Sequence, residues 1–338
     1  MTRFGFSGEE TVIPVDDIRQ FIIRMHEKLQ DGINRALESN NGIPPTYFTY
    51  EVKDYAFIMG ADGRKRKDEK GRPFIRALKF EQKALPTFLE GYVRYLKTID
   101  DIEVAQEQYQ KVKESSLYDR KLGMYKTNAP LTNESMDIGR LRAFTPGWLE
   151  NESIFLHMEY KYLLEILKAG LYDPFFEDIQ KALIAFQAPA RYRRSPLENC
   201  SFLVSSAHPD EKLHGAGFVA RLTGATAEFL NMYEIMMAGE KPFFMQDGDL
   251  DLCLQPKLPD WLFDEEGKLS FTFLGKCTVN YFNPSRKNTY DLSSRINRIR
   301  LQIDDEIVDI QGKVIGPPYA LMVREGLIKE IDVFFSED

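Results

Sequence analysis

The sequence predicts a mainly α chain closed by a β domain, with residues 1–240 helical and residues 241–338 folded as an antiparallel β-sandwich. Three observations predict it. Before Pro242, apolar residues recur at helical spacing, first in Ile18, Phe21, Ile22, Met25, Leu29, Ile33 and Leu37. After Pro242, polar and apolar residues alternate in 249–254, 268–274, 278–282, 298–303, 306–310 and 328–335. Asp247-Gly248, Glu266-Gly267 and Gln311-Gly312 supply the turns that antiparallel neighbours need.

Taken in order, 15–37 is the first helix, with Asp16 and Asp17 in the turn where the helix dipole favours negative charge. Asn and Pro at 40–45 break it, and Tyr47, Phe48 and Tyr50 suit a short extended segment. The run Arg64, Lys65, Arg66, Lys67 and Lys70 lies among Gly and Asp and reads as a solvated loop. Helices follow at 85–96 and 102–113, then an irregular link over 121–133. The strongest helix is 153–169, stopped by Gly170, and another covers 174–187 with Pro174 at its start. Residues 203–217 read as loop, and 223–237 as a helix closed by Gly239.

Composition narrows the function. With 43% hydrophobic residues, 24 Phe and 16 Tyr among them, the 338-residue chain can fill a large core and is not expected to be disordered. A formal charge of -8 argues against a nucleic-acid partner. Cys200, Cys253 and Cys277 are too far apart for metal-ligand spacing, and no metal or organic cofactor is expected. Neither a signal segment nor a run of ~20 apolar residues is present, so no membrane association and a cytoplasmic location are expected.

Two stretches carry candidate chemistry. Gly147-Trp148-Leu149-Glu150-Asn151 leads through Phe155 to His157 near the start of a helix. Glu150 and Asn151 could bind sugar hydroxyls, since a carboxylate accepts from two at once. His157 could donate to an anion. Further on, Thr223-Gly224 opens a helix and offers a hydroxyl and backbone N–H groups, which suits an anion as well. Each also has a plain structural reading: a core histidine, an N-cap threonine and a capping pair.

Together, in this order, the two stretches resemble the inverting β-glucoside and β-glucan phosphorylases, the group of cellobiose and chitobiose phosphorylase. In that group a Gly-x-x-Glu-Asn segment runs into Phe-x-His and a Thr-Gly pair follows. The matching positions here are Gly147, Glu150, Asn151, Phe155, His157, Thr223 and Gly224. The resemblance implies that His157, Thr223 and Gly224 bind phosphate and that Glu150 and Asn151 line a sugar subsite. It implies a partial (α/α)6 barrel before the sandwich, inorganic phosphate as co-substrate and a β-glucan or β-glucoside oligosaccharide as partner. Leu149 replaces a basic residue and Glu152-Ser153 a small pair, and no segment matches the one that carries the family's general-acid aspartate. No catalytic residue is therefore assigned: the acid is expected upstream of this chain, and an N-terminal half or a homo-oligomer is expected as a partner. The alternatives are an inverting hydrolase on the same toroid and a non-catalytic carbohydrate-binding or assembly subunit.

Overall fold

The computed structural model describes residues 8, 10–219, 224–291 and 294–336 and forms two compact units, Met1–Gly91 and Tyr92–Asp338. In the first unit the apolar stripe at 15–37 forms helix α1 (Val15–Ser39), which buries none of its residues. Strands β1 (Phe48–Phe57) and β2 (Ile75–Ala84) pair in register from Phe48↔Ala84 to Phe57↔Ile75, with a bulge near Asp54. Both are mostly exposed. The basic run lies in their connection, where Lys65 sits 3.4 Å from the Phe57 ring centroid and Arg72 pairs with Asp68 at 2.7 Å.

Helix α2 (Leu89–Leu96) leads into the second unit. Asp101 caps α3 (Ile102–Glu114) by accepting from the Glu103 and Val104 N–H groups, which have no partner inside the helix. A small hairpin of β3 (Tyr118–Asp119) and β4 (Met124–Tyr125) and a single turn, α4 (Arg140–Ala143), precede β5 (Ile154–Phe155). The chain then enters α5 (Leu156–Lys168), nine of whose residues are buried. Its neighbours in sequence are α6 (Tyr172–Ala182), a short α7 (Pro189–Tyr192), β6 (Phe202–Leu203) and β7 (Gly217–Phe218). Helix α8 (Ala225–Ala238) completes this part. Helix α5 packs against both α6 and α8.

Beneath α5 lies a buried polar network. Asp178 of α6 accepts from Lys113 Nζ at 2.6 Å, from Tyr109 Oη at 3.1 Å and from Tyr125 Oη. Glu159 of α5 accepts from the Tyr125 N–H at 2.9 Å, and its other carboxyl oxygen has no partner.

The expected partial (α/α)6 barrel is absent from the described residues, and so is the mainly helical composition. Among the described residues, nine α-helices together with short 3-10 turns make up 34%, strands 25%, and the strands form five small sheets. The physical reason lies in the helices. A toroid needs long helices paired side by side, whereas α5, α6 and α8 are separated by turns and two-residue strands. Helix α1, the longest at 25 residues, buries no residue of its stripe.

The sandwich is corrected too. The six alternating segments do become strands, and two strands outside them, β8 (Phe243–Gln246) and β14 (Val314–Ile315), join β9 (Asp249–Cys253), β10 (Lys268–Phe273), β11 (Cys277–Phe282), β12 (Ile296–Ile303), β13 (Glu306–Gln311) and, after helix α9 (Tyr319–Glu325), β15 (Glu330–Phe335). They form a three-stranded sheet β14-β9-β8 and a five-stranded sheet β10-β11-β15-β12-β13. The larger sheet is mixed rather than antiparallel. After β14 and α9 the chain enters β15 between β11 and β12, parallel to β11 and antiparallel to β12. One core joins both sheets and the helix, with Leu252, Ile315, Val279, Tyr281, Leu301, Val333 and Val323 all buried. Cys200, Cys253 and Cys277 are free thiols, each buried.

Candidate functional site

The loop ahead of α5 is shaped by backbone that few residues adopt. Gly147, Leu149 and Glu152 all have positive φ, and Gly147 packs so closely on the His208 backbone that a side chain there would collide with it. The Gly147 N–H donates to the Asn151 carbonyl at 2.8 Å, and the Asn151 N–H donates to the Trp148 carbonyl at 3.2 Å. Below the loop, Lys126 Nζ meets Glu152 Oε2 at 2.9 Å in a pair that is nearly buried. The Glu152 N–H donates to Asn128 Oδ1 at 3.0 Å. Burial makes these bonds costly to break, so the loop is held as a unit.

Glu150 faces outward from it. Arg140 grips the carboxylate through Nε and Nη2, each 3.1 Å from one oxygen. Asn151 is turned inward and buried. Its amide donates to the Phe144 carbonyl at 2.7 Å, and its own oxygen has no partner. The structure therefore separates two neighbours that the sequence paired as sugar contacts. Glu150 is accessible, while Asn151 braces the loop.

From this loop a row of aromatic rings runs to His157. Trp148 stacks on Phe218, with centroids 3.9 Å apart and planes 4° from parallel. Phe218 lies opposite Phe202, and Phe202 opposite Phe155, across the three short strands β7, β6 and β5. Their centroids are 5.5 and 4.7 Å apart. Phe155 ends the row and meets the His157 imidazole edge to face at 5.9 Å. Two-residue strands are too short to be legible as period-2 segments: in sequence 203–217 reads as loop, and β5 falls inside the helix expected over 153–169.

His157 is the second residue of α5, and its ring lies against the start of α8. Gly224 holds that approach open, because a Cβ at this position would overlap the imidazole. The Gly224 backbone is helical, φ -65° and ψ -11°, so the glycine is needed for space and not for its conformation. The residues before the two helices, Phe155 and Gly224, have no side-chain acceptor to cap a first turn. The positive ends of two helix dipoles thus converge on one imidazole. Thr223 lies outside the described residues.

A carboxylate that the sequence reading did not single out completes the site. Glu228, one turn into α8, places Oε1 3.5 Å from His157 Nε2. Burial holds the His157 imidazole below its ordinary pKa and the Lys161 ammonium pushes it the same way, while Glu228 opposes both. The neutral form of the histidine is thereby favoured. Among the described residues no group of His, Cys, Asp and Glu has the arrangement of a metal site, and no helix is long and apolar enough to cross a membrane.

Of the sequence-predicted residues, His157 and Gly224 are brought together. Glu150 stands at the far end of the aromatic row. No protein-family model matches the chain, and no curated protein matches it.

Proposed function

We propose that the chain is the phosphate- and sugar-binding half of an inverting β-glucoside phosphorylase, acting on β-linked glucosides to give α-glucose 1-phosphate. The observation that carries the reading is the contact between Gly224 and the His157 ring. It puts a histidine donor between two helix starts, which is good chemistry for an oxyanion. Glu150, in the loop at the Trp148 end of the aromatic row, offers acceptors for hydroxyls.

In this reading His157 and the first turn of α8 hold a phosphate below the anomeric carbon. A phosphate oxygen forms the new bond to that carbon as the bond to the departing oxygen breaks, and configuration inverts. The departing oxygen takes its proton from a carboxylic acid that none of the matched motifs supplies. Phosphate is already a competent nucleophile, so no second carboxylate is required to activate water.

The test is phosphate binding by calorimetry to the chain and to Gly224→Ala. Alanine fits the helical backbone at this position, so its main effect is to displace the imidazole. The expected outcome is at least a ten-fold loss of phosphate affinity, at a stability cost of about 1–3 kcal/mol for overpacking. Unchanged phosphate affinity in this variant removes the reading. A non-catalytic carbohydrate-binding subunit is favoured by one observation, the absence from this sequence of a segment matching the one that carries the family's general-acid aspartate. It predicts binding of a β-glucan oligosaccharide whose affinity is indifferent to phosphate.

A further inference from the structure

A second place in the molecule gathers positive charge with no carboxylate among its described lining residues, although Lys257 Nζ also lies 5.3 Å from the Tyr172 ring centroid. Lys257, Arg295 and Lys313 line one cavity of about 470 Å³ in the C-terminal part of the second unit. Gln255, Thr289 and Ser294 also line it, and no carboxylate does among the described residues. None of the three cations forms an ion pair among the described residues, although other surface cations do. The contrast with the whole chain is sharp: 52 acidic residues against 44 basic ones overall, but three basic and none acidic among the described residues lining this hollow.

The three are mounted on fixed backbone. Thr289 clamps the segment that carries Lys257. Its hydroxyl donates to the Pro256 carbonyl at 2.7 Å and accepts from the Leu258 N–H at 2.9 Å, and its own N–H donates to the Leu258 carbonyl at 2.8 Å. Arg295 stands directly before β12, and its carbonyl accepts from the Ser336 N–H at 2.8 Å. Lys313 stands directly before β14 and follows Gly312, whose N–H donates to the Asn297 carbonyl at 2.8 Å. Burial alone holds the Lys257 ammonium below its ordinary pKa. Like charges set around one hollow repel one another, and a fold keeps such an arrangement at a cost unless an anion enters it.

We propose that this cavity binds a small phosphate monoester dianion, with Lys257, Arg295 and Lys313 on the phosphate and Ser294 and Gln255 available to hydroxyls of the group it carries. The volume falls within the range of small-molecule pockets. The acidic balance of the surrounding chain disfavours a long polyanion such as a nucleic acid. The site shares no residue with the one built on His157 and Gly224, so it does not depend on the phosphorylase reading.

The test titrates inorganic phosphate and glucose 1-phosphate into the full chain, into His157→Ala, and into the double variant Lys257→Gln/Lys313→Gln, with thermal melts to confirm folding. His157→Ala is expected to keep one binding event for glucose 1-phosphate, and the double variant to weaken that event at least ten-fold. Arg295→Gln and Lys313→Gln change exposed side chains and serve if the double variant does not fold; each is expected to weaken binding several-fold. Wild-type affinity in all of these variants overturns the proposal, as does the absence of any binding to His157→Ala at millimolar ligand. A short oligonucleotide that displaces glucose 1-phosphate at lower concentration than the monoester itself assigns the cavity to the wrong class of ligand.

Discussion

His157 has its neutral form favoured by burial and by Lys161, and an anion against it must raise its pKa. Anion affinity is therefore highest where the ring is protonated and falls as pH rises through the histidine range. Sulfate isolates this effect because, unlike phosphate, it does not itself titrate there. Calorimetry should show sulfate binding strengthening from about pH 7 to pH 5, and His157→Gln should abolish the slope. Glu228, 3.5 Å from His157 Nε2, competes with the anion for that nitrogen. Glu228→Gln should raise phosphate affinity several-fold, and a loss of affinity would show instead that the carboxylate positions the ring. His157 and Gly224 were legible because their spacing resembles a motif. Glu228 was not, since an acid in a first helical turn is what the helix dipole alone selects. Nor was Arg140, which reaches Glu150 across ten residues of irregular chain.

Helix α5 contains the clearest pH liability. Burial pushes the Glu159 carboxyl from the ordinary 4.5 up to about 8, and the nearby carboxylates of Asp178 and Asp119 add to the rise, while the bond from the Tyr125 N–H opposes it. The folded state thus keeps a proton that the unfolded chain gives up. The stability that depends on this proton is complete below about pH 4.5 and is lost as pH rises through about 8. Glu159→Gln, neutral at every pH, should flatten that decline in melting temperature, the difference growing to a few kcal/mol on the alkaline side. The helix itself was readable from its apolar spacing and from Gly170. Six of the eight strands after Pro242 were readable as well, because alternate residues of each pack on a common core. Their direction was not: alternation fixes which side chains face inward and says nothing of which neighbour a strand meets, so the parallel β11–β15 pair left no trace.

At the scale of the molecule the two units differ in how much they bury. Core residues fill the second, whereas α1 buries none of its residues and β1 and β2 are largely exposed. Local opening free energy follows buried contact, so hydrogen exchange by mass spectrometry should find α1 exchanging at least 100-fold faster than α5. Protection of α1 equal to that of α5 would show that its stripe is covered in solution. The absent barrel has the same origin. Periodic spacing identifies a helix with an apolar side, but whether that side finds a partner is decided by contacts far away in the chain.

The three buried thiols give the protein its own stopwatch. Cys200 sits beside β6, Cys253 in β9 and Cys277 in β11, and none is open to a reagent while its surroundings stay closed. A thiol-reactive dye therefore records when each neighbourhood first lets solvent in. If Cys253 and Cys277 react in step while Cys200 reacts on another schedule, the two sheets around the shared core open as one body and the helical part keeps its own time.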